Sequence, residues 1–185
     1  MNQSFENRFG WPEVIRVGSV TMVDVPDFRA ITVEALADMI RGGTLTATEV
    51  TEAAVARIKA SNDVVNAFVA VDAAGARAQA ASVDARIAAG EDVGVLAGIP
   101  IGVKDLEDAV GFRTTRGAMH LADAAAAGTD STEVARLRAA GCVVIGKTNT
   151  PEAGWIGDTF NQIFGATKNP WNLKRSPGGS SGGAA

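Results

Sequence analysis

A lysine in an apolar run and a loop of serines and glycines are the parts of this chain best suited to chemistry. Lys104 closes the stretch Ile99-Pro100-Ile101-Gly102-Val103-Lys104-Asp105, and lysine is rarely placed in such surroundings without a reason. Buried away from a carboxylate, its amine would lose affinity for a proton and become a base near neutral pH. A hydroxyl within reach of that base could then be activated, and Ser176-Pro177-Gly178-Gly179-Ser180-Ser181-Gly182-Gly183 offers several. Taken singly, each feature has a plainer reading: Lys104 could snorkel to water or pair with Asp105 or Glu107, and the serine loop could be a linker.

A third stretch, Gly141-Cys142-Val143-Val144-Ile145-Gly146-Lys147-Thr148, satisfies the letters of a phosphate-binding loop. The mechanism behind those letters needs a strand before the first glycine, a loop between the glycines and a helix after the threonine. Here a helical pattern precedes Gly141, the four residues between the glycines are apolar like a strand, and Asn149-Thr150-Pro151 follows where a helix should begin. Nucleotide binding is therefore rejected in favour of a helix stop followed by a core strand. The single cysteine, Cys142, lies inside that apolar stretch and reads as a packed thiol with no disulfide partner. The single histidine, His120, lies in a loop.

The elements that must position Lys104 and the serines follow from periodicity and caps. Val33, Leu36 and Ile40 mark a helix from Thr32, ended by Gly42-Gly43. Thr46 and Glu49 have the spacing of a capping box for a second helix running to about Ser61, with Val50, Ala54 and Ile58 as its apolar stripe. Asn66 to Val71 reads as a short extended piece, and Asp72 caps an alanine-rich helix that reaches Ala89 and stops at Gly90. From Val93 to Val103, glycines and Pro100 alternate with apolar residues, as in a strand with turns, and this strand delivers Lys104 and Asp105. Asp130 and Glu133 are the expected cap pair of a helix through Ala140, and Cys142 to Ile145 is a four-residue strand. Strand, helix and strand at this spacing predict a βαβ unit, hence an α/β fold with parallel strands covered by helices. The expected division is an N-terminal arm over 1–30, a helical segment over 31–92 and an α/β core from 93 to 185, with Met22 an alternative start.

The chain has 185 residues, 46% hydrophobic and 21% charged, an ordinary globular composition. Its net charge of −4, with basic residues scattered, lacks the footprint of a nucleic-acid binder. No stretch is long and apolar enough for a membrane span and no secretory leader is visible, so a small-molecule partner and a cytoplasmic location are expected.

Taken in order, several segments resemble the amidase signature family. Leu96-Ala97-Gly98-Ile99-Pro100-Ile101-Gly102-Val103-Lys104-Asp105 is similar to its lysine motif, and Gly111 with Thr114-Thr115-Arg116-Gly117 to the segment after it. Leu137-Arg138, Gly146-Lys147-Thr148-Asn149 and Pro151-Glu152 resemble its helix, strand and loop. Phe164-Gly165 with Asn169-Pro170-Trp171 matches the next block, and Pro177 to Gly183 the opening of its serine- and glycine-rich signature. The resemblance covers about Thr32 to Ala185. It implies a mixed, largely parallel sheet covered by helices, and an amidase acting through a Ser, cis-Ser, Lys triad on a small amide, with no metal and no cofactor. Lys104 would be the base and Ser180 the bridging serine, joined to Gly179 by a cis peptide bond, with Gly178, Gly179 and Ser181 in support. The nucleophilic serine and the oxyanion donors would lie beyond residue 185, so the chain is expected to be an inactive fragment whose unpaired edges favour self-association. The alternatives are the transamidating subunit of a tRNA-dependent amidotransferase and a non-catalytic fragment. Lys104-Asp105-Leu106-Glu107-Asp108 lacks the asparagine that commonly follows the Lys-Asp pair in the transamidating subunits.

Overall fold

The computed structural model describes residues 25–184. Most of the expected N-terminal arm and the alternative start at Met22 lie outside them. Helix α1 spans Val33–Arg41, with the Thr32 hydroxyl accepting from Ala35 N. Helix α2, Ala47–Val65, opens on the expected capping box: Glu49 N donates to Thr46 Oγ1, and Thr46 N donates back to the Glu49 carboxylate at 2.8 Å. A second carboxylate helps, because Asp84 accepts from Ala47 N at 2.6 Å and from Thr48 N at 3.1 Å. Replacing Thr46 by alanine removes one acceptor and leaves Asp84 in place. The expected loss is about 1 kcal/mol of stability, measurable as a lower urea midpoint with an unchanged slope.

Helix α2 runs four residues past Ser61 because nothing in Asn62-Asp63-Val64-Val65 breaks it. It stops where Asn66 turns into the left-handed region at φ 52°. Strand β1, Phe68–Val71, follows, then α3, Ala73–Ala88, with Asp72 accepting from Gly75 N as expected. Between residues 93 and 98 the chain turns rather than extends, since Gly94 and Gly98 both have positive φ. Strand β2 is therefore confined to Pro100–Lys104. Helix α4, Thr132–Ala139, corrects the expected cap. Ser131 is its N-cap, accepting from Val134 N, while Asp130 accepts from Val110 N at 2.7 Å and pairs with Arg138. Strand β3, Val143–Thr148, is buried along its whole length and continues three residues past the expected end at Ile145. The hairpin of β4, Phe160–Asn161, and β5, Gly165–Ala166, completes the chain's strands among the described residues.

The main sheet has the order β1-β3-β2. β2 and β3 are parallel, with Pro100 opposite Val143 and Lys104 opposite Thr148, as the βαβ reading requires. β1 adds to the other side of β3 in antiparallel register, so the sheet is mixed. The change in texture at residue 93 is one of composition: Leu36, Val50 and Ala80 from the helical segment share one core with Ile99, Val143 and Ile145. Cys142 sits at the edge of that core, 6% exposed, and burial pushes its thiol up to about 11. Alkylation at mildly alkaline pH is expected to be slow in the native chain and rapid in denaturant. Equal rates in the two states would contradict the packed thiol.

Candidate active site

The parallel strands β2 and β3 end side by side, Lys104 opposite Thr148, and Lys104 meets Ser180 there. Lys104 is the last residue of β2, half-buried, and burial lowers its pKa below the usual 10.5. Its Nζ donates to Ser180 Oγ at 2.7 Å across 76 residues of sequence. Neither of the carboxylates considered as partners takes it. Asp105 binds Lys147 instead, and among the described residues Lys104 forms no ion pair. The Gly179–Ser180 peptide bond is cis.

The loop that carries Ser180 is held by residues to which the sequence assigned no part in the site. Thr159 Oγ1 donates to the Gly178 carbonyl at 2.8 Å and accepts from Gly182 N at 3.0 Å, clasping the loop on both sides of Ser180. Thr150 Oγ1 lies 3.3 Å from the Ser180 carbonyl. Behind these threonines, Asn149 and Asn161 are buried and bonded to each other at 2.7 Å, and Asn161 also donates to the Thr150 carbonyl at 2.8 Å. Polar groups buried in this way stay only where each finds a partner.

The glycines of the loop allow a close approach rather than mere flexibility. A Cβ on Gly179 would come within 2.7 Å of Asp158 N, and one on Gly183 within 2.4 Å of Asn149 N, so a side chain at either position would push the loop away from its seat. Gly178 has φ 91°, where L side chains are strained. Ser181 is exposed, and its hydroxyl forms no hydrogen bond among the described residues. The holding falls to Thr150, Thr159 and Ser176, whose hydroxyl accepts from Gly178 N at 3.0 Å and donates to Asp158. His120 lies on an exposed single-turn helix, Met119–Leu121.

The stretch that imitated a phosphate-binding loop is strand β3, with Lys147 wholly buried and turned to a carboxylate and not to solvent. No group of three His, Cys, Asp or Glu side chains comes together for a metal ion among the described residues. No helix among them is long and apolar enough to cross a membrane.

The site thus brings a lysine amine whose affinity for a proton burial lowers to hydrogen-bond distance from a hydroxyl. Comparison with known proteins gives the family. The sequence profile described as Amidase matches residues 49–185. A glutamyl-tRNA(Gln) amidotransferase subunit from Roseiflexus castenholzii is 48% identical over 155 residues, 84% of this chain and 31% of that protein. A bacterial aryl acylamidase of the amidase signature enzymes superposes with a TM-score of 0.78 at 36% identity, covering 83% of this chain and 32% of the acylamidase. The inhibitor-bound form of a vestigial protein complex, described in connection with the origins of an s-triazine catabolic enzyme, superposes with a TM-score of 0.76 at 39% identity. It matches 80% of this chain and 32% of that one. The chain spans about a third of the length of the curated relatives it matches. On these matches the chain belongs to the amidase signature family.

Proposed function

We propose that this chain carries the proton-handling half of an amidase, with Lys104 as the general base and Ser180 as the hydroxyl that relays the proton. The reading rests on one contact, Lys104 Nζ to Ser180 Oγ at 2.7 Å, made by an amine that burial keeps from holding a proton tightly. A nucleophilic hydroxyl attacks the amide carbonyl as its proton passes to Ser180 Oγ and from Ser180 to Lys104 Nζ. Lys104 then returns that proton through Ser180 to the departing amine, the C–N bond breaks, and water releases the acyl group. We assign no residue of this chain to the nucleophile or to the oxyanion donors. The chemistry is complete without a metal or organic cofactor, and the substrate is a small amide met in the cytoplasm.

Lys104 must be neutral to accept a proton, so kcat/KM of the whole enzyme should fall as pH drops through the pKa of its amine. That pKa lies below the usual 10.5, and the plateau should begin on the alkaline side of it. A profile flat across the neutral range down to acid pH would contradict a lysine base.

A second reading, the transamidating subunit of an amidotransferase, is favoured by the name of the 48% identical relative. Lys104-Asp105-Leu106-Glu107-Asp108, which lacks the asparagine that commonly follows the Lys-Asp pair in such subunits, favours a hydrolase. Ammonia release separates the two. We expect the whole enzyme to release it from simple amides without further subunits, whereas release confined to glutamine would select the second reading.

A further inference from the structure

The sheet end that carries Lys104 holds a second lysine that the amide chemistry does not use. Lys147 is fully buried and is the largest such side chain among the described residues. Its Nζ meets three acceptors: the Arg113 carbonyl at 3.1 Å, Thr114 Oγ1 at 2.9 Å and Asp105 Oδ1 at 3.1 Å. Three acceptors match the three N–H donors of an ammonium. Burial lowers the affinity of Lys147 for its proton and the Asp105 carboxylate restores it. Asp105 is 1% exposed, and it takes the Thr115 hydroxyl and, at 3.3 Å, Thr115 N as well. Asp105 is also the residue after Lys104, with its own N bonded to the Thr148 carbonyl at 3.0 Å. A buried carboxylate so close to Lys104 would favour the charged amine if it were free to act on it.

Building on the reading of Lys104 as base, we infer that Lys147 is a positioning residue: it occupies the Asp105 carboxylate and so leaves the Lys104 amine to Ser180. The neighbouring segments also carry charge. Glu107 and Asp108 act on Lys147 from the turn after β2, Arg113 and Arg116 lie on the loop bonded to Asp105 and Lys147, and Glu152 lies on the turn bonded to Arg116. Among the described residues none of them forms an ion pair with either lysine, and Asp105–Lys147 is the ion pair nearest Lys104 in sequence.

The test is a pH titration of the Lys104 13Cε resonance in the 185-residue chain labelled with 13C-lysine. Lys147→Gln leaves Asp105 unmatched, and the Lys104 midpoint is expected to rise by about one unit, a tenfold gain in proton affinity. Asp105→Asn leaves the Lys147 charge unmatched and is expected to move the midpoint down. The double variant, with neither charge, is expected to return close to the unaltered chain. Simple loosening of the packing would let water in and raise the midpoint in all three, so the opposite signs of the single variants separate positioning from structure. A midpoint unmoved by Lys147→Gln, or raised by Asp105→Asn, overturns the inference while leaving Lys104 as the base. A midpoint at the usual 10.5 in the unaltered chain overturns both. Should Lys147→Gln fail to fold, Asp105→Asn and the double variant decide by the same signs.

Discussion

Lys104→Ala in the whole enzyme should lower kcat/KM for an amide by about 10²- to 10⁴-fold, the usual worth of a positioned acid or base. Ser180→Ala should cost a comparable factor, because the proton then has no hydroxyl to cross. The two losses should not multiply. Residues that move one proton act as a unit, so the double variant should be little worse than either single one. Lys104→Arg is the sharper control, since a guanidinium keeps the positive charge and much of the length of lysine but cannot be deprotonated. A positioning or purely electrostatic role would survive that exchange in part, whereas a base would not. None of these variants should unfold the protein, because Lys104 is half-buried and makes one side-chain hydrogen bond. Single-turnover kinetics alongside thermal melts checks both points.

The second large effect concerns stability. Lys147→Met leaves the Asp105 carboxylate buried without its cation, and breaking a buried pair from one side costs about 3–5 kcal/mol. For a chain of this size that is a fall in melting temperature of about 10 °C. Replacing both partners, as in Asp105→Leu with Lys147→Met, should recover most of the loss, because the same principle makes an apolar pair of similar volume close to neutral. Thermal unfolding of the two single variants and the double variant gives the coupling directly. A double variant as unstable as the sum of the singles would mean that the pair is not one unit.

How far the sequence revealed these features depends on how local each one is. The caps at Thr46 and Asp72 were legible because a cap is written within four residues, and the parallel pairing of β2 and β3 because a helix between two short apolar runs reads as a crossover. Ser131 displaced Asp130 as the α4 cap since both are good caps, and the tie was broken by Val110 N, a partner 20 residues away. The antiparallel arrival of β1 on β3 could not be read from a four-residue strand with no alternation. Lys104 was legible as a lysine at the end of an apolar run, and the family resemblance tied it to Ser180. Lys147 lies two residues past the apolar run Cys142 to Ile145, and its burial follows only from the extension of β3 to Thr148. Its partner, however, depends on the register of two strands, and a one-residue slip would have turned it elsewhere. Thr150 and Thr159 were invisible for a related reason, since their work is to hold a loop that becomes a neighbour only after folding.

A proton relay through Ser180 requires the Lys104 amine to be uncharged where an ordinary lysine is charged. Competitive acylation of the chain from neutral to alkaline pH, read peptide by peptide with an α-blocked free lysine as the internal standard, measures this property. Lys104 should reach its full reactivity at a lower pH than the standard. Two curves that rise together, or a Lys104 curve displaced to higher pH, would rule out the lysine as base.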